Sequence, residues 1–222
     1  MKDKAIEHHG KKIMCGRFIL LTDLSVIVQS FRIGEVAAEY KTGDNISPGQ
    51  EIVAIIRKDD QNSLVNFQWG LIPSWSKDPS IGNRMFNARA ETIAEKPSFK
   101  TAFQKRRCLI PVDGFYEWQK LGKEKKPLRF SLKSEEPFGL AGLYETWISP
   151  DQKPIQTCTI ITTEPNDLLR PIHDRMPVIV KKEQEDFWID PDNQNQRELM
   201  SILKPYPVDE MTMSEAIMLR NH

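Results

Sequence analysis

The 222-residue sequence has no long apolar run, few cysteines and no formal net charge. No stretch approaches the roughly 20 apolar residues that cross a bilayer, and the first dozen residues lack a signal-peptide core, so we expect a cytoplasmic protein. The three cysteines, Cys15, Cys108 and Cys158, lie far apart, which argues against a disulfide framework and a zinc site. A net charge of zero gives no whole-molecule attraction to nucleic acid.

Charge is nevertheless unevenly distributed along the chain. Five basic residues and no acid fall in one short run: Lys96, Lys100, Lys105, Arg106 and Arg107. Acids gather later, at Glu183, Glu185, Asp186, Asp190 and Asp192. Such a run is usually a solvated face, and taken alone we interpret it so.

Short strands dominate the pattern. Val65, Phe67 and Trp69 alternate with polar residues and predict a strand, while apolar residues at helical spacing predict a helix from Leu24 that ends at Gly34. Further strands are predicted at 18–21, 51–57, 108–112, 115–119, 128–133, 138–148, 157–163 and 176–180, and short helices from 97, at 165–170 and at 197–203. The pattern predicts a single-domain α+β fold with an antiparallel or mixed, barrel-like β-sheet and short peripheral helices. We expect residues 1–14 to be a leader or a misassigned start, 15–210 the domain, and 211–222 a tail.

Five short segments place polar residues in apolar or turn contexts. They are Met14-Cys15-Gly16-Arg17-Phe18, Trp69-Gly70-Leu71-Ile72-Pro73-Ser74-Trp75, Asn87-Ala88-Arg89-Ala90-Glu91, Gly114-Phe115-Tyr116-Glu117-Trp118 and His173-Asp174-Arg175-Met176-Pro177. In order and approximate spacing, from Met14 to about Pro207, they resemble the signature of the SOS response-associated peptidase (SRAP) family. One segment alone would be weak, but all five in order are specific.

The resemblance implies a protein that binds single-stranded DNA and forms a covalent thiazolidine crosslink with abasic sites. It implies Cys15 as nucleophile, Asn87 as its orienting residue, and Glu117 and His173 as proton-transfer groups. The implied phosphate-binding residues are Arg17, Arg89 and Arg175, and the residues that shape the DNA path are Trp69, Trp75 and Trp118. No metal or organic cofactor is implied, and we expect a monomer that joins the nucleoid when bound to DNA. Trp147 and Trp188 are assigned to the core.

The chemistry of an N-terminal cysteine supports these roles. Imine formation needs a neutral amine, and an α-amine of pKa about 7.7 is about 17% neutral at pH 7, whereas a lysine is about 0.04% neutral. The thiol of the same residue can then close a five-membered ring onto the imine carbon. Histidine titrates near neutrality, and Glu117, between Tyr116 and Trp118, is predicted to have a pKa raised by apolar surroundings. Both could therefore transfer protons.

Fourteen residues precede Cys15, so the α-amine of the sequence as written belongs to Met1. Three explanations are open: translation starts at Met14 and the methionine is removed, the chain cleaves itself before Cys15, or the chemistry has been lost. The first is favoured because Gly10-Lys11-Lys12 would be encoded by purine-rich codons that resemble a ribosome-binding site.

Two other functions remain open at the level of the sequence. Cys15, His173 and Asn87 have the residue types of a papain-like thiol peptidase acting on other proteins. A non-catalytic DNA-binding module is the other. A peptidase of that kind tolerates an N-terminal extension, whereas the crosslinker does not. Imine chemistry also allows weak abasic-site lyase activity through β-elimination.

Overall fold

A computed structural model describes residues 16–216 of the chain. The predicted leader (1–14), Cys15 and the end of the predicted tail (217–222) lie outside these residues. The strands are β1 (Phe18–Leu20), β2 (Ile33–Val36), β3 (Gly43–Ile46), β4 (Glu51–Lys58), β5 (Gln61–Trp69), β6 (Asn87–Arg89), β7 (Arg107–Val112), β8 (Gly114–Leu121), β9 (Glu124–Leu132), β10 (Phe138–Ile148), β11 (Pro154–Thr163), β12 (Met176–Pro177), β13 (Ile179–Val180) and β14 (Met211–Glu215). The α-helices are α1 (Leu24–Ser30), α2 (Lys100–Lys105), α3 (Glu185–Ile189) and α4 (Gln196–Ile202), and the 3-10 helices are Pro79–Arg84, Ala90–Thr92, Lys182–Gln184 and Val208–Glu210. In this part of the chain no helix is long and apolar enough to cross a membrane.

A closed five-stranded barrel forms the centre of the molecule. Strands β5, β4, β7, β10 and β11 follow one another around it in antiparallel pairs. A parallel pairing of β11 with β5, in which Cys158 lies opposite Trp69, closes the ring. Closure leaves these strands no free edge along the paired segments. The predicted α+β fold with a mixed, barrel-like sheet and short helices is confirmed.

A second, antiparallel sheet packs beside the barrel in the order β14-β9-β8-β1-β3. It fixes the beginning of the described chain, because Phe18 of β1 lies opposite Phe115 of β8 and Ile46 of β3. Phe115 in turn stacks on Phe130 of β9, with ring centroids 5.4 Å apart. The first strand is therefore held between two others and anchored by aromatic packing.

Two short strands flank the far end of β11. On one edge β6 runs parallel to it, with Asn87 opposite Ile160 and Arg89 opposite Thr162. On the other edge β12 runs antiparallel, with Pro177 also opposite Thr162. Because strands on both edges of β11 share Thr162 as a neighbour, the segments around Asn87 and His173 meet at one end of the barrel.

The core contains large aromatic side chains from strands and helices. Trp188 and Trp147 are buried, as predicted. The indole of Trp188 donates to the Cys108 carbonyl (2.9 Å) and that of Trp147 to the Ser76 carbonyl (2.7 Å), which satisfies the polar atom of each ring.

Several element predictions were wrong in detail. Residues 167–172 form turns instead of the predicted helix. The first helix ends at Ser30, before Gly34, because Arg32 adopts a positive φ of 50° and Ile33 already begins β2. Strand β14 lies beyond residue 210, where the sequence predicted the domain to end, and pairs with β9 from Met211 to Glu215.

Candidate active site

Glu117 lies in the interior beside the start of the described chain. The amide of Tyr116 donates to the Arg17 carbonyl (2.9 Å), and the antiparallel register of β1 and β8, continued by two residues from Phe18, sets Gly16 opposite Glu117. Gly16 is buried and Glu117 is only 2% exposed. The register thus brings a buried carboxyl group to the residue that directly follows Cys15.

Trp69 connects this region to the strand of Asn87. Its indole N–H donates to the Phe86 carbonyl (2.8 Å), and its ring lies 5.2 Å from that of Phe18. Since Trp69 is 1% exposed, it packs the core and has no face for a DNA contact. The sequence-based role of Trp69 in the DNA path is therefore corrected: the side chain holds the backbone next to Asn87.

His173 is held through one ring nitrogen. Its Nδ1 accepts the backbone N–H of Arg175 (3.1 Å), and the carboxylate of Asp174 lies 3.2 Å from the same atom. The Arg175 carbonyl oxygen also lies 3.3 Å from Nδ1, so the contacts at this nitrogen suit either tautomer of the ring. His173 is 6% exposed, and its backbone N–H donates to the Leu169 carbonyl (2.9 Å).

Arg175 ties the two motifs at the end of β11 together. Its guanidinium donates to both carboxylate oxygens of Glu91 (2.7 and 2.9 Å) and to the Thr162 carbonyl (2.6 Å). Burial is the largest single cause and raises the pKa of Glu91, but the hydrogen bond to Arg175, a backbone hydrogen bond and the charges of Arg175 and Arg89 together hold that pKa below its ordinary value. This bidentate pair links the segment of Asn87 to the segment of His173.

The pair changes the interpretation of two residues. The sequence predicted that Arg175 holds phosphates, yet its side chain is 12% exposed and engaged by Glu91. Glu91 received no role from the sequence, although it stands in the quoted Asn87–Glu91 segment. No local pattern pairs it with Arg175, because the contact depends on how β6 and β12 meet at β11.

The remaining predicted DNA-binding residues lie at or near the surface. Arg89 is exposed, and Arg17 is half-buried with its guanidinium bonded to the Asn45 side chain (2.8 Å). Trp75 is 60% exposed and Trp118 is half-buried. These four side chains remain accessible, wholly or in part, to a ligand outside the fold.

The two cysteines in the described chain are unsuited to nucleophilic chemistry. Cys108 and Cys158 are fully buried and unoxidised, and burial raises the pKa of both thiols. The thiolate is the reactive form, so both are inert at neutral pH. Within residues 16–216 no group of three His, Cys, Asp or Glu side chains is arranged to hold a metal ion.

Comparison with known proteins agrees with the fold and the motifs. Residues 14–217 match the family described as SOS response associated peptidase (SRAP), and the chain belongs to this family. The abasic site processing protein YoqW of Bacillus subtilis is 47% identical over 211 residues, which cover 94% of each chain. The abasic site processing protein HMCES of Gallus gallus is 31% identical over 64% of this chain and 49% of its own. A crystal structure of a protein from Bacteroides thetaiotaomicron superposes with a TM-score of 0.82 at 28% identity, covering 90% of this chain and 91% of the other.

Proposed function

We propose that this protein captures abasic sites in single-stranded DNA covalently through Cys15, once residues 1–14 are gone. The relatives named above as abasic site processing proteins support the substrate. The observation that carries the proposal is the pairing of β1 with β8, in which the Arg17 carbonyl accepts the backbone N–H of Tyr116, the residue next to the buried Glu117. Because neighbouring Cα atoms are about 3.8 Å apart, the peptide bond to Gly16 limits how far Cys15 can be from this carboxyl group.

The proposed reaction joins one amine and one thiol to a single carbon. The neutral α-amine of Cys15 adds to the C1′ aldehyde of the ring-opened deoxyribose, and loss of water gives an imine. The thiol sulfur then adds to the imine carbon while its proton passes to the nitrogen, which leaves a thiazolidine. Aldehyde, amine and thiol are thus converted to the ring and one water molecule.

Proton transfer is assigned to Glu117 and His173. Opening the sugar needs a proton at the ring oxygen, and dehydration of the carbinolamine needs a second proton at the departing hydroxyl group. The buried carboxyl group and the held imidazole are suited to give and take back these protons, while Asn87 orients the nucleophile. Before the ring closes, the imine also permits β-elimination, which would appear as weak lyase activity.

Removal of residues 1–14 is part of the proposal, because an internal cysteine has an amide nitrogen that cannot form an imine. A start at Met14 and self-cleavage before Cys15 both deliver the required amine. Arg17, Arg89, Trp75 and Trp118 are proposed to contact the DNA, with little base preference because they offer cations and aromatic rings. Arg175 would join them only by releasing Glu91.

The decisive experiment mixes protein, verified by intact mass to begin at Cys15, with an oligonucleotide that contains one abasic site. We expect a heat-stable, gel-shifted adduct that Cys15→Ser lowers at least a hundredfold. Cys158→Ala is the matched control, since its buried thiol takes no part, and it should keep the adduct.

Two outcomes would contradict the proposal. One is the absence of adduct from protein with a verified Cys15 terminus. The other is equal trapping by a chain that retains residues 1–14, because the thiazolidine mechanism needs the free α-amine of Cys15.

A further inference from the structure

Beyond the candidate active site, β8 and β9 continue as a two-stranded hairpin. Residues 118–127, here called the basic hairpin, pair with each other from Trp118 opposite Pro127 to Leu121 opposite Glu124, and in the described chain the Pro127 carbonyl also accepts the backbone N–H of Ala216 (3.1 Å). The backbone pairing of β1 with β8 ends near Tyr116, and that of β14 with β9 ends at Leu128. The basic hairpin therefore projects from the sheet directly after Glu117.

The charge of the basic hairpin is strongly one-sided. It contains four lysines, Lys120, Lys123, Lys125 and Lys126, and one acid, Glu124. Lys126 is paired with Glu215 of β14. The other three lysines are exposed, and no ion pair involves them within residues 16–216.

Two of these lysines lie directly opposite each other. The register places Lys120 against Lys125, and side chains opposite each other in an antiparallel pair lie on the same face. Like charges in this arrangement repel, so the pair disfavours the hairpin unless an anion lies between the two ammonium groups. The structure thus retains a locally unfavourable pair at an exposed position.

An aromatic residue shares this face. Trp118 is two residues before Lys120, so both side chains stand on the same side of β8, about 7 Å apart along the strand. Trp118 is half-buried and lies next to Glu117 in the chain. Cations beside an accessible aromatic ring are the combination by which proteins hold single-stranded nucleic acid without reading its sequence.

We propose that the basic hairpin binds the DNA strand that flanks the abasic site. A phosphate lies between Lys120 and Lys125, and a neighbouring base stacks on Trp118. The inference rests on the proposed function for the position of the lesion beside Glu117. It adds a binding surface outside the active site, which holds the strand through its backbone and is indifferent to base identity.

The test measures equilibrium binding of undamaged single-stranded oligonucleotide to protein with Cys15→Ser, so that no adduct can form. The double variant Lys120→Gln/Lys125→Gln is compared with its parent over a range of salt concentrations. We expect the dissociation constant to rise about tenfold at low salt, and the log–log salt slope to fall by about 0.7, since the single phosphate between the two lysines contributes about 0.7 on single strands.

The matched control is Lys96→Gln/Lys100→Gln, which removes the same charge from exposed positions around the start of α2. It should leave the dissociation constant within about twofold and the salt slope unchanged. Thermal unfolding of the hairpin variant should begin no earlier than in the parent, because the substitution relieves a repulsion. Lower affinity with an unchanged thermal transition therefore reports a lost contact.

Failure of this inference differs from failure of the proposed function. If protein that begins at Cys15 forms the adduct but the hairpin variant binds DNA as tightly as its Cys15→Ser parent, or no more weakly than the control, the basic hairpin is not a DNA surface. If protein that begins at Cys15 forms no adduct while the hairpin variant still loses affinity and salt dependence, the contact of the hairpin with DNA is supported and the covalent chemistry is refuted.

Discussion

Arg107 and Arg175 are both largely buried, but the fold satisfies them in different ways. All five N–H groups of Arg107 reach backbone carbonyls, those of Phe103, Gln104, Trp188, Asp190 and Asn193. Arg175 instead donates to one carboxylate and one carbonyl, and its buried Nε has no hydrogen-bond partner among the described residues.

The partners decide what each arginine does. The carbonyls around Arg107 belong to α2, α3 and the loop after it, so the guanidinium binds these elements to β7. Burial lowers the pKa of Arg107 to about 10, yet it stays charged at neutral pH. Glu91, in contrast, is half exposed to water, so the pair that it forms with Arg175 is solvated on the carboxylate side. The carbonyls around Arg107 hold parts of the fold together, whereas Arg175 is held by one carboxylate that is open to water.

The largest effect on stability is expected from Arg107→Met. The substitution keeps most of the side-chain volume but leaves five carbonyls without their donor, which should cost about 3–5 kcal/mol of unfolding free energy. Urea denaturation measures the loss. Arg197→Met, at an exposed position of α4, is the control and should change stability by about 0.5 kcal/mol or less. Equal losses in both variants would show that the hydrogen bonds of Arg107 to these carbonyls contribute little.

Glu185 lies between the cases of Arg107 and Arg175, because it is a buried carboxyl group with one exposed partner. Burial raises its pKa from 4.5 to about 7, although Lys182, 3.1 Å away, opposes the shift. The folded protein therefore holds this proton more tightly than the unfolded chain. Its contribution to stability is complete below pH 4.5 and is lost as the pH rises through about 7.

Between pH 5 and pH 8 this group should lower the unfolding free energy by about 2 kcal/mol. Glu185→Gln should flatten that dependence, as measured by urea denaturation at the two pH values. Glu183→Gln removes a nearby exposed carboxylate and should preserve the wild-type dependence. If Glu185→Gln retains the full pH dependence, another group is responsible.

The smallest effect on stability is expected from Glu91→Gln. The half-exposed pair with Arg175 should be worth about 1 kcal/mol or less. The rate of adduct formation at saturating DNA should nevertheless fall about tenfold, equivalent to about 1.4 kcal/mol, because the segments of Asn87 and His173 lose their link. Glu95→Gln, an exposed neighbour, is the control for both measurements. An unchanged rate would show that the Glu91–Arg175 pair is a surface ion pair that does not influence the candidate active site.

The sequence predicted the fold class but not the closure of the barrel. Alternating apolar residues such as those of β5 identify a strand with one buried face. Closure depends on β5 and β11, which lie far apart in the sequence, and alternation does not identify a strand's partner. Strand β14 escaped prediction because most of its side chains are exposed, so that its pairing with β9 defines it.

The sequence suggested candidate site residues by type, but it did not indicate the contacts between them. The five segments identified Asn87, Glu117 and His173 as candidates because polar residues are unusual in such apolar or turn contexts. Trp69 was misplaced because the motif suggested a ligand contact, while its alternation in β5 already indicated the core. The Glu91–Arg175 pair arises only when two strands meet at the same end of β11.

Closure by β11 also determines when the candidate active site can assemble during synthesis of the chain. Translation runs from the amino end, so the segment beginning at Gly16 leaves the ribosome long before β11 and His173. A growing chain that stops before β11 has an open sheet and no strand end at which β6 and β12 can meet. Completion of the barrel and assembly of the candidate active site are therefore one late event in the making of the chain.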